Sequence, residues 1–242
     1  MSTLFFEAGG AAREEHAPGV AARTEGAAEK GRGTAPRAAR TERIFEASSS
    51  AAQFARGYLD YVASLLAAID EQAIEQVAQA LLRARAEDRA IFILGNGGSA
   101  ATAGHFANDL AVGVRPRERP FRAQSLADNV AVVSAIANDY GYEAVFSKQL
   151  ESRLRPGDVV VAISVSGNSP NVVSAVRYAN AHGAVTIGLT AGDGGALRSL
   201  VRIALHVPSE RGEHGPAEDV HVVFEHILTN YLRLLLARRD AP

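Results

Sequence analysis

The chain has 242 residues, a hydrophobic fraction of 47%, a charged fraction of 21% and a formal net charge of −2. That balance is globular, and without a dominant block of Lys and Arg it gives no support to electrostatic capture of nucleic acid. There is no cysteine, which excludes disulfides and thiolate chemistry and leaves His and carboxylates as the only strong metal ligands.

Residues 1–48 are mostly Ala, Gly, Arg and Glu, with Pro18, Pro36 and few large apolar side chains. Such a segment buries too little apolar surface to offset its ordering entropy, so a disordered extension is expected. Glu7, Glu14, Glu15, Glu25 and Glu29 argue against an acid-poor transit peptide. No secretory signal is recognisable and no apolar run is long enough to span a bilayer, so a cytoplasmic location without a membrane partner is expected.

Residues 49–238 read as one domain. Phe54, Tyr58, Tyr61, Leu65 and Ile69 lie at helical spacing behind the Ser48-Ser49-Ser50 cluster, a plausible cap. A second helix runs through Ile74, Val77, Ala80, Leu81 and Ala84. The aliphatic run 90–94 then breaks into Gly95-Asn96-Gly97-Gly98-Ser99 and a helix carrying Ala101, His105 and Asp109. A short strand is expected from Ala123 to Leu126, followed by helices over 129–137 and 142–153. A second aliphatic run, 158–163, breaks into Ser164-Val165-Ser166-Gly167-Asn168-Ser169 and a helix over 170–182. Pro170 suits the first turn of that helix, where its missing N–H has no partner to lose. A strand from Ala184 to Leu189, a short helix after Gly195, a strand from Arg202 to Val207 and a long helix over 217–238 complete the order. Strands alternating with helices, and aliphatic throughout, read as an α/β fold: a parallel sheet with helices on both faces.

In such sheets ligands bind beyond the carboxyl ends of the strands, where both polar loops fall. A helix starting at such a loop presents free backbone N–H groups, which suit a phosphate. The first loop lacks the Gly-Lys-Ser/Thr ending of a Walker loop and the third glycine of a dinucleotide fingerprint. Its Gly97 and Gly98 permit close approach of a ligand, and Asn96 and Ser99 add hydrogen-bonding side chains. The second loop offers three hydroxyls, Ser164, Ser166 and Ser169, a cradle that can hold phosphate without Lys or Arg.

His105 and Asp109 lie one turn apart on one helix face. That spacing suits two ligands of one metal, or a base and its partner. On the last helix Glu218, His221, Glu225 and His226 form a denser cluster, and spacing alone does not choose among them.

The strings Gly-Asn-Gly-Gly-Ser-Ala and Ile-Ser-x-Ser-Gly-Asn-Ser-x-Asn-Val resemble the sugar isomerase (SIS) family. More narrowly, the chain resembles the phosphoheptose isomerase branch from about Tyr58 to Leu236, including His105-Phe106-Ala107, Ala137-Asn138-Asp139, the Leu189–Gly195 turn, His221 and His226. The resemblance implies a three-layer flavodoxin-like (SIS) fold and a homotetramer with active sites between subunits. It implies conversion of sedoheptulose 7-phosphate to D-glycero-D-manno-heptose 7-phosphate through an enediol(ate), with Asp109 and His226 as proton-transfer groups. It implies Zn2+ held by His105, Asp109, Glu218 and His226. Phosphate contacts then fall to Ser164, Ser166 and Ser169, and sugar contacts to Asn96, Gly97, Gly98, Ser99, Asn138, Asp139 and Glu218.

Three departures from the family pattern stand out. Asp109 replaces a glutamate, Glu218 a glutamine, and Val165 a hydroxyl-bearing residue. Loss of a methylene at Asp109 moves a carboxylate by about an ångström, enough to impair proton transfer. These changes keep two alternatives open: an SIS isomerase for another phosphosugar, and a non-catalytic phosphosugar-binding or adaptor protein.

Overall fold

A computed structural model describes residues 39–114 and 119–239. The extension expected over 1–48 lies outside the described residues as far as 38, and its last part forms helix α1 (Arg40–Glu46). Helices α2 (Ala51–Leu66) and α3 (Glu71–Ala86) follow. Ser50 Oγ accepts from the Gln53 amide at the start of α2, and Asp70 accepts from the Gln72 and Ala73 amides at the start of α3. These caps satisfy amides that have no partner within the helix.

Among the described residues five strands alternate with the remaining helices. They are β1 (Ala90–Gly95), β2 (Arg122–Ser125), β3 (Val159–Ser164), β4 (Val185–Ala191) and β5 (Ile203–Val207). All neighbouring pairs are parallel and the spatial order is β2-β1-β3-β4-β5. This is the flavodoxin-like order, with its switch point between β1 and β3. The helices are α4 (Gly98–Asn108), α5 (Val130–Tyr140), α6 (Ser147–Glu151), α7 (Pro170–Ala181), α8 (Gly195–Leu200) and α9 (His214–Arg239).

The aliphatic strands have no polar face because both faces are covered. Ile91, Ile93, Val159, Val161, Ile163, Ile187 and Leu189 pack with α3, α4 and α9 residues such as Leu81, Phe106 and Phe224. Phe92, Leu94, Val160 and Ala162 pack on the opposite side with Leu150, Val172, Val176 and Leu197. Each fully buried Val, Leu, Ile or Phe side chain among them contributes about 1.5–3 kcal/mol by leaving water.

Helix α5 runs three residues past the expected 137, and two expected elements differ in kind. The helix expected over 142–153 is a 3-10 turn, Tyr142–Ala144, followed by the short α6. The helix carrying His105 ends in a π-helical turn, Asp109–Gly113, in which the Val114 amide reaches back to the Asp109 carbonyl at 2.8 Å. Hydrophobic spacing does not register one extra residue in a single turn. Such turns recur at functional sites, and this one begins at Asp109.

Candidate active site

The two polar loops stand side by side because β1 pairs with β3, bringing Gly95 opposite Ile163. Gly97 caps α4 with φ 53° and ψ −123°, a conformation closed to residues with a side chain. The Asn96 amide donates to Asn171 Oδ1 at 2.9 Å, and the Asn171 amide donates back to Asn96 Oδ1 at 2.9 Å. Tyr142 also donates its hydroxyl to Asn96 Oδ1 at 3.0 Å. Asn96 therefore fastens the first loop to α7 and leaves one amide N–H for a ligand. Asn171 belongs to the Ile-Ser-x-Ser-Gly-Asn-Ser-x-Asn-Val string, which was the available signal, but the sequence assigns it no contact, and Tyr142 lies outside every motif.

In the second loop, Ser164 Oγ accepts from the Gly167 amide at 3.2 Å and lies 3.3 Å from Ser169 Oγ. Ser166 Oγ accepts from the Asn168 amide at 3.3 Å. Ser169 is the N-cap of α7, but its side chain makes no capping bond, so its hydroxyl is not committed to the helix. Val165 is buried, and its carbonyl accepts from Ala191. Its side chain serves the core where the family pattern has a hydroxyl. A cleft beside this loop is lined by Val165, Ser166, Asn168, Asp193, Arg211 and His214, among others.

The 208–213 segment that borders this cleft is tied to the N-terminal helix. Arg43 donates to both Glu210 oxygens at 3.0 and 2.6 Å, and the Thr41 amide donates to Glu213 at 2.8 Å. Tyr61 donates its hydroxyl to the buried Glu213, and burial pushes the phenol up to about 12.

Asn138 and Asp139 are exposed in the last turn of α5 rather than in the loop that follows, and Asn138 donates to Asp139 at 2.9 Å. Ser99 is buried in the first turn of α4.

The titratable groups gather where α4 and α9 lie against each other. His105, Asp109, Glu225 and His226 each offer one ligand atom, and these atoms all lie within 4.8 Å of one another. His105 Nε2 is 3.8 Å from Asp109 Oδ2, His105 Nδ1 is 3.7 Å from Glu225 Oε2, and His226 Nε2 is 3.4 Å from the same Glu225 oxygen. The two imidazoles and Asp109 are partly exposed, whereas Glu225 is 0% exposed. Neither Glu225 oxygen has a hydrogen-bond partner. Burial pushes its carboxyl up to about 7, with His226 opposing and Asp109 adding to the rise.

Glu218 stands elsewhere. A Cβ added to Gly98 would fall 2.6 Å from the Glu218 carboxyl carbon, so this carboxylate rests against the first turn of α4. A carboxylate there is favoured by the helix dipole. The structure thus brings together three of the four expected metal ligands, His105, Asp109 and His226, and joins Glu225 to them rather than Glu218. Glu225 was visible in the sequence, but its burial was not.

A divalent ion fits this donor set. Two imidazoles and two carboxylates suit zinc and similar ions, and a buried carboxylate of this kind is relieved either by a proton or by a bound cation.

The SIS domain family profile matches residues 57–191. The phosphoheptose isomerase of Solidesulfovibrio magneticus is 42% identical over 64% of this chain and 74% of its own length. That of Trichlorobacter lovleyi is 37% identical over 66% of this chain and 80% of its own. The solved phosphoheptose isomerase of Neisseria gonorrhoeae superposes with a TM-score of 0.64 at 34% identity, covering 75% of this chain and 95% of that one. The chain therefore belongs to the SIS domain family, in its phosphoheptose isomerase branch, and is an enzyme of the isomerase class.

Proposed function

We propose that the protein interconverts sedoheptulose 7-phosphate and D-glycero-D-manno-heptose 7-phosphate. The observation that carries this reading is the gathering of His105, Asp109, Glu225 and His226 on α4 and α9, where α4 springs from the loop beside the serine cradle. Names of relatives such as the Trichlorobacter lovleyi enzyme support the same substrate class.

In this reading Ser164, Ser166 and Ser169, with the amides at the start of α7, hold the phosphate. Asn96, Gly97, Gly98, Ser99, Asn138, Asp139 and Glu218 line the sugar. Asp109 and His226 exchange protons at C1 and C2, one removing the proton beside the carbonyl and the other returning a proton to the neighbouring carbon. An imidazole does this near neutral pH, and a carboxylate does it when its geometry is favourable. His105, Asp109 and His226, with a carboxylate of α9, would hold a zinc ion. Such an ion polarises carbonyl and hydroxyl oxygens.

The exposed Leu59 on α2 and Ile227, Tyr231 and Leu234 on α9 support a homotetramer joined through these helices. No described helix is long and apolar enough to cross a membrane, which is compatible with a cytoplasmic enzyme.

The test is conversion of sedoheptulose 7-phosphate by purified protein, with and without added zinc, beside a panel of other ketose phosphates. Turnover of the heptulose that is lost in His226→Ala supports the reading. Preference for another ketose phosphate replaces the substrate, and binding of phosphosugars without turnover replaces the enzyme with a binding protein.

A further inference from the structure

The sequence pattern leaves an apparent defect in the site. Asp109 is one methylene shorter than the glutamate implied there, and its Oδ2 stands 3.8 Å from His105 Nε2. On α9, seven residues after Glu218, the chain carries a second acid that the pattern does not use. Glu225 is wholly buried, and both of its oxygens lie unsatisfied beneath His105 and His226. An ionised carboxylate without partners in such a place is strongly unfavourable, and an apolar residue of similar size would be better tolerated unless a cation is present.

The spacing identifies what the group is built for. The separations from Glu225 Oε2 to His226 Nε2 and His105 Nδ1, 3.4 and 3.7 Å, are too long for hydrogen bonds. They are close to the roughly 3.3 Å between neighbouring ligands of a tetrahedral ion with bonds of about 2.0–2.1 Å. The two imidazole rings meet at 82° with centroids 5.0 Å apart, neither stacked on nor hydrogen-bonded to each other. Glu218, meanwhile, is engaged at the start of α4, where its carboxylate lies over Gly98. Gly98 precedes His105 by seven residues, about 10 Å along the helix axis.

We propose that Glu225, not Glu218, is the carboxylate of α9 that binds the divalent ion with His105, Asp109 and His226. The sphere then holds two imidazoles and two carboxylates, whose charges cancel that of a divalent cation. Glu225 adds a second carboxylate to the sphere beside Asp109, and Glu218 keeps its place over Gly98 at the start of α4. This assignment rests on the reading of the cluster as a metal site.

The experiment measures zinc and cobalt(II) binding to the full-length protein by calorimetry and by visible absorption of the cobalt form, without reference to turnover. Wild type, Glu225→Gln and Glu218→Ala are compared, each with its melting temperature in the presence and absence of metal. Glu225→Gln is expected to lower zinc affinity at least about 100-fold and to abolish the tetrahedral cobalt bands. Without metal it melts no lower than wild type, because it removes an uncompensated buried acid. A merely structural Glu225 would instead lower the melting temperature with and without metal alike.

Glu218→Ala, which leaves no donor atom at that position, is expected to keep the wild-type affinity and spectrum. If Glu225→Gln does not fold, Glu218→Ala still decides, because loss of the site in that variant overturns the assignment. Wild-type affinity in Glu225→Gln overturns it as well, while leaving the metal site standing. A wild-type protein that binds neither ion removes the metal site itself.

Discussion

Asn96 and Asn171 exchange two amide hydrogen bonds of 2.9 Å across the gap between the two polar loops. The loops are thereby one unit, although they are more than sixty residues apart in sequence. Replacing Asn171 by Ala leaves part of the Asn96 amide without a partner, and each lost bond of this kind costs about 1 kcal/mol. Asn171→Ala is expected to lower stability by about 2 kcal/mol and to raise KM for the phosphosugar by about tenfold. Denaturant melts and initial rates check it. An unchanged KM would mean that the pair serves the fold alone.

The serine loop is pressed against the turn before α8. Gly167 has φ 63°, and a Cβ there would fall 2.6 Å from the carbonyl carbon of Gly194, a backbone atom that has no easy way to yield. Gly167→Ala is expected to cost at least about 2 kcal/mol through strain and displacement of the loop. Phosphate binding should weaken with it, as read by inorganic phosphate competing with substrate. Retention of wild-type competition would show that the hydroxyls do not depend on this contact.

Much of this was legible in the sequence. Aliphatic strands without alternation announced a sheet covered on both faces, and the loops announced themselves because small polar residues interrupt those runs. The π-helical turn at Asp109 was not legible, since one extra residue in a turn leaves hydrophobic spacing intact. The place of Glu225 was not legible either. His221 and Glu225 lie one turn apart, on the buried side of α9, so their burial follows from how α9 rotates against α4 and the sheet. That rotation is a tertiary fact. Resemblance alone pointed to Glu218, which lies at the other end of the same helix pair.

His221 makes stability depend on pH. It is fully buried, its Nε2 lies 3.4 Å from the Thr190 carbonyl, and burial lowers its pKa to about 4, with His206 adding to the effect. His206, bonded to Thr190 Oγ1 at 3.1 Å, is lowered too, by burial and then by Arg198. Because the folded pKa is below the ordinary value of 6.5, the unfolded chain takes the proton first. The folded state is therefore at full strength above pH 6.5 and loses stability as pH falls from 6.5 towards 4. The loss from His221 alone is about 3 kcal/mol. His221→Gln keeps a donor for Thr190 without a titrating ring, and urea midpoints between pH 7 and 5 should fall less steeply in it. An equal slope in both proteins would assign the acid sensitivity to other groups.

Glu213 joins the N-terminal helix to the edge of the cleft. One of its oxygens accepts from the Thr41 amide and the other from the Tyr61 hydroxyl, and the residue is only 3% exposed. The neighbouring Arg43–Glu210 pair is partly exposed, so its contribution to stability is small, about 0–1 kcal/mol. Glu213→Gln keeps one oxygen for the Thr41 amide and turns its NH2 towards Tyr61, so the buried Tyr61 hydroxyl proton loses its acceptor. That mismatch costs about 1–3 kcal/mol. Tyr61→Phe removes the hydroxyl whose acceptor Glu213→Gln takes away, so the double variant should be less destabilised than the sum of the singles. A double-mutant cycle on melting midpoints reads this directly, and strict additivity would show that Tyr61 and Glu213 act independently. The same variants should raise KM more than they lower kcat, since the 208–213 segment borders the cleft beside Ser166 and is remote from the His105–His226 cluster.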